Sequence, residues 1–118
     1  MKNIFISGLY LLILFCLSKY VFEPSYLYYE LWWLDIPMHI LGGFGVASFV
    51  SAILSYRGIT ISFGKLCLAY FAIALVWESW EYYMEVTSYI DWEGWLDTAK
   101  DVIDGFIGVS AAYLFIRK

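Results

Sequence analysis

Residues 77–108 read WESWEYYMEVTSYIDWEGWLDTAKDVIDGFIG and hold most of the chain's Asp and Glu, yet they overlap two predominantly apolar runs of membrane-spanning length, 66–84 and 97–116, one at each end. A charge at the centre of a bilayer costs about 2.5–3.5 kcal/mol on insertion scales and more on an isolated helix. Repeated carboxylates at that depth must therefore be paired, protonated, hydrated in a cavity or bound to a cation. The flanking runs set the fold, and the acidic segment between them points to the site.

Composition supports the membrane reading. Of 118 residues, 63% are hydrophobic and 22% aromatic, and the mean hydropathy is +0.72. Soluble domains hold roughly 45–50% apolar residues. The length suits one domain over residues 1–118. A formal net charge of -4 without a basic run argues against nucleic acid and against a polybasic anchor on anionic lipid. Cys16 and Cys67 lie in separate apolar runs and read as packed thiols, neither a disulfide nor a metal pair.

Outward from the acidic segment, the sequence predicts an all-α polytopic protein with four transmembrane helices at about 4–22, 36–56, 66–84 and 97–116. Each run is close to the ~20 residues that a spanning helix needs. Lys2 ahead of the first run also resembles a signal peptide, but no small-x-small cleavage signature follows it. Glu23-Pro24 ends the first helix. Tyr26 to Leu34, with Tyr26, Tyr28, Tyr29, Trp32 and Trp33, reads as an aromatic segment at the membrane interface. Pro37 falls in the first turn of the second helix, where its missing N–H is harmless. Gly42, Gly43 and Gly45 allow close helix approach, Arg57-Gly58 opens a short polar turn, and Glu85 to Leu96 reads as an acidic, aromatic loop.

Lys2, Arg57, Lys65, Arg117 and Lys118 fall on one side of this arrangement. Basic residues concentrate on the cytoplasmic side, so the expectation is a multi-pass inner-membrane protein with both termini cytoplasmic. The acidic residues then gather at the outer end, with the tryptophans.

At about 100° per residue, Asp35 and His39 share a face of the second helix. Glu78, Glu81 and Glu85 form one stripe of the third helix, opposite Trp77, Trp80 and Met84. Asp97, Asp101 and Asp104 share a stripe of the fourth with Gly108. At ~1.5 Å per residue these stripes descend together into a polar funnel, with Glu78, Asp104 and His39 at its floor. Lys100 and Lys19 are too few to neutralise it. A divalent ion is the economical partner, and oxygen ligands with one imidazole suit Mg, Mn, Ca or Zn. Asp35, His39, Glu78, Glu81, Asp97, Asp101 and Asp104 are the candidate ligands. The inert readings are that Glu85, Asp91 and Glu93 are solvated loop carboxylates, that Asp97 caps the fourth helix and that His39 is a hydrogen-bonded core histidine.

The sequence DIPMHILGG, then WESWE, then LDTAKDVIDGFIG resembles the YjdF-like family of small bacterial inner-membrane proteins, with its D-x3-H, WE-x2-E and DT-x2-D-x2-D signatures. More distantly it is similar to VanZ-like proteins. The resemblance runs from Asp35 to Gly108 and implies that the seven candidate ligands occupy shared polar positions. YjdF-like proteins have no established activity, while VanZ-like ones are linked to glycopeptide resistance at the cell envelope. The spacing of Glu78, Glu81 and Glu85 before Ala99-Lys100-Asp101 is also similar to diacylglycerol and undecaprenol kinases. Those carry Asn where Glu81 stands and face cytoplasmic ATP.

The functional expectation is a divalent-metal centre that binds or acts on a membrane-lipid, lipid-phosphate or envelope-precursor headgroup. In an enzyme, Glu78 or His39 would serve as general base. Alternatives are a cation- or proton-handling protein, a lipid kinase-like enzyme and a structural or partner-binding protein.

Overall fold

A computed structural model describes residues 1–22, 32–85 and 92–117; within these, the side chains of residues 19, 22, 32, 35, 81, 82, 84, 85, 92–98 and 117 lie outside the description. The fold is all-helical. Helix α1 (Lys2–Cys16) continues through a π-helical segment, Leu17–Phe22, and a 3-10 turn at Trp32–Leu34 leads into α2 (Asp35–Tyr56). Helices α3 (Phe63–Glu85) and α4 (Trp92–Arg117) complete the chain. Among the described residues, two stretches are long and apolar enough to cross a membrane, Ile36–Tyr56 and Phe63–Trp80, with mean hydropathies of 1.6 and 1.2.

Local chemistry fixes the helix ends. Gly58 has φ +71° and closes α2, with Ile59 N–H donating to Leu54 O at 2.8 Å and Gly58 N–H to Ser55 O at 3.1 Å. This is a Schellman closure, whose left-handed residue favours glycine. Helix α3 begins at Phe63, ahead of the expected Leu66, because Ser62 caps it: Lys65 N–H donates to Ser62 Oγ at 3.3 Å. Helix α4 begins at Trp92, ahead of the expected residue 97, so Trp92–Leu96 is helical and not part of the expected loop. Glu93 and Asp97 at that end suit the positive pole of the helix dipole. Most of the expected interfacial aromatic segment, residues 26–31, lies outside the described residues, as does the centre of the acidic loop, residues 86–91.

The helices alternate in direction. Tyr10 Oη donates to Leu41 O at 3.0 Å and Gly8 lies against Phe49, so α1 and α2 are antiparallel. Phe63 meets Tyr113 at 5.3 Å between ring centroids and Tyr70 meets Phe106 at 4.8 Å, which makes α3 and α4 antiparallel too. Helices α2 and α4 are parallel and touch through backbone: a Cβ on Gly43 would collide with Gly105, and one on Gly108 with Ile40 O and Phe44 N. Glycine is required here for close approach.

Ala47, Leu66, Tyr70, Ala74, Val109 and Ala112 form the buried core. It is small beside the apolar exterior, where Leu68 is 73% exposed, Val76 71% and Phe115 69%. Large apolar surfaces of this kind mark contact with lipid or with partners.

Candidate functional site

Three helices converge on one polar group. His39 sits just over one turn into α2, Glu78 about two turns before the end of α3, and Asp101 about two turns into α4. The alternating directions bring these three positions to the same end of the bundle. One ligand-capable atom from each lies within 4.8 Å of the others. Asp101 is buried and His39 and Glu78 are half-buried.

The tightest contact is between His39 Nε2 and Asp101 Oδ2, at 3.3 Å. The α2–α4 crossing explains it. Gly43 stands one turn beyond His39, and Gly105 one turn beyond Asp101. The backbone contact of the two glycines therefore sets the register that holds imidazole and carboxylate face to face.

Lys100 turns towards the same group. Its Nζ lies 3.7 Å from Asp101 Oδ1 and 3.4 Å from Asp104 Oδ2, so one ammonium spans two carboxylates a helical turn apart. Asp104 Oδ2 is buried and accepts no hydrogen bond among the described residues; the Lys100 ammonium faces it at 3.4 Å. Below this pair, Tyr70 Oη donates to Val102 O at 3.1 Å. Its hydroxyl fills the space a Cβ would need on Gly105, clamping α3 onto α4 directly beneath the acidic residues. That role escaped the sequence reading, in which Tyr70 is one aromatic among many; only its position opposite Gly105 would have signalled it.

The expected floor is thus rearranged. His39 and Glu78 meet, but Asp101 completes the group and Asp104 faces Lys100. Lys100, one of the two lysines expected near the funnel, points inward to Asp101 and Asp104. Asp35, Glu81 and Asp97 have their backbones in α2, α3 and α4, at the same end, and their side chains are among those outside the description.

Comparison with protein-family models, curated proteins and solved structures finds no match to this chain. What the centre can do must be argued from its chemistry.

Donors bonded to one ion at ~2.0–2.4 Å stand roughly 3–3.5 Å apart when they are neighbours. The His39–Asp101 separation falls in that window. It is equally the distance of an imidazole N–H donating to a carboxylate. The two states differ by a proton on Nε2, because a metal needs the lone pair there. An apolar furrow on α3, lined by Ala72, Ile73, Val76, Trp77 and Trp80, lies on the helix face opposite Glu78 and takes no part in the centre.

Proposed function

We propose that the chain is a four-span membrane protein whose His39, Glu78 and Asp101 bind a divalent cation and, through it, a lipid or cell-envelope phosphate headgroup. The observation that carries this reading is the convergence of one imidazole and two carboxylates from three separate helices on one point. A chelating site needs several ligand atoms brought to one point, and here three helices supply one each. A divalent ion supplies Lewis acidity towards a phosphate oxygen; Glu78, the half-buried carboxylate of the group, is the residue suited to accept a proton. The YjdF-like resemblance, which covers the same positions, fits this proposal.

The four spans, with both termini cytoplasmic, rest on the alternating helix directions and on Lys2, Arg57, Lys65 and Arg117, whose backbones lie at one end. The centre then opens outwards. A C-terminal fluorescent-protein fusion is expected to be bright and a C-terminal alkaline phosphatase fusion inactive. The reverse pattern would turn the centre towards the cytoplasm and favour the kinase-like alternative.

The metal is tested on purified full-length protein. Addition of Mg, Mn, Ca or Zn after chelator treatment is expected to raise the unfolding temperature by about 5 °C for at least one ion at saturating concentration, and Asp101→Asn should abolish the rise. No response to any of the four ions, together with no metal by elemental analysis, rejects the reading. The 3.3 Å contact between His39 and Asp101 favours a second one, in which the group is an ionic clasp that fastens α2 to α4 and binds no ligand. The same titration separates the two.

A further inference from the structure

Lys100 sits where a cation would. Its Nζ is 3.7 Å from Asp101, a member of the His39, Glu78 and Asp101 group, and 3.4 Å from Asp104. The Lys100 side chain is 42% exposed, against 7% for Asp101 and 12% for Asp104. The ammonium thus reaches inward from a half-open position, on a stem of four methylenes that can withdraw. We propose that Lys100 is a tethered counter-cation that competes with the incoming ion and makes the centre selective for divalent over monovalent cations. The inference rests on the metal reading above and adds to it a residue that sets specificity.

Charge decides the competition. Asp101 and Asp104 place two carboxylates beside one ammonium, and Glu78 joins the group through Asp101 and His39. A monovalent ion replacing the ammonium brings the same charge, and its rival is held on the neighbouring residue at high effective concentration. A divalent ion brings twice the charge and prevails. Its gain is largest at Asp101, which is buried and already faces His39. Lys100 then keeps Asp104, one turn further into α4, so no carboxylate is stranded by the exchange. Without divalent ion, the Lys100 ammonium stays beside both carboxylates. This accounts for a lysine in a site whose ligand is a cation.

The test is Mn titration of full-length protein in detergent, followed by electron paramagnetic resonance, with and without Na. Wild type is expected to bind Mn with little Na competition. Lys100→Gln should bind Mn roughly tenfold more tightly and become sensitive to Na, while Lys100→Arg should stay near wild type. Equal or weaker Mn binding by Lys100→Gln overturns the inference and leaves the metal reading standing, provided Asp101→Asn loses Mn. If wild type binds no Mn, this inference is overturned, and the metal reading fails with it when Mg, Ca and Zn also leave the unfolding temperature unchanged. A measurement on wild type alone covers the case in which Lys100→Gln does not fold. Acetylation of Lys100 by an amine-reactive ester, read by mass spectrometry, should rise on adding Mn as the ammonium leaves Asp101, and no rise overturns the proposal.

Discussion

Gly43→Ala is expected to destabilise the fold by about 3 kcal/mol, while Gly42→Ala, one residue away, leaves stability unchanged or slightly higher. Among the described residues, a Cβ at Gly42 would meet only Leu14 Cδ2, at 4.0 Å, which is ordinary contact. Alanine there gains up to ~1 kcal/mol of helix propensity. A Cβ at Gly43 would overlap the backbone of Gly105, and backbone cannot rotate away as a side chain does. Helices α2 and α4 must then separate or slide. Because Gly43 and Gly105 lie one turn beyond His39 and Asp101, the same substitution should pull those two apart and weaken cation binding with no change in any ligand. Reversible denaturant unfolding in detergent measures the first effect and metal titration the second. Equal behaviour of the two alanine variants would mean that the helices do not meet at Gly43.

That crossing also explains how far the site could be read from the sequence. Helical phase is a local property. Asp101, Asp104 and Gly108 fall on one stripe by spacing alone, as do Asp35 and His39, so the participating helices and faces were legible. The axial offset between two helices is not local. It depends on which glycine meets which, and the sequence offers Gly42, Gly43 and Gly45 on one side and Gly105 and Gly108 on the other. Counting depth from assumed helix starts put Asp104 beside His39, whereas the Gly43–Gly105 contact selects Asp101.

The inward turn of Lys100 is hidden for a related reason. Its neighbours on both sides of the stripe are acidic, but whether a long side chain snorkels outwards or bends in is settled by the room around it. Helix ends were legible where they carried a signal, as at Pro37 and Gly58. The start of α3 followed from the Ser62 cap, which the apolar periodicity beginning at Leu66 overshadowed. The early start of α4 was masked by Gly94 and by acidic residues that read as loop but suit a helix N-terminus.

Asp101→Ala is expected to lower stability by about 3–5 kcal/mol in the presence of chelator. The penalty comes less from the lost attraction than from the groups left behind: the imidazole of His39 keeps its half-buried place without its 3.3 Å partner, and Lys100 loses its 3.7 Å contact. Removing His39 as well should therefore cost less than the sum of the two single changes, by a coupling of about 1–3 kcal/mol in a double-mutant cycle. Strict additivity would mean that the two side chains do not meet.

Repeating the cycle with saturating Mn distinguishes a clasp from a binding centre. A purely structural pair gives the same coupling with and without ion. A chelating pair gives a larger one, because ion at 100 times its dissociation constant adds about 2.7 kcal/mol to wild type and little to any variant lacking a ligand. The excess coupling is the part of the His39–Asp101 interaction that passes through the cation. Its size tells whether the fold holds these two residues together for their own sake or for the ion between them.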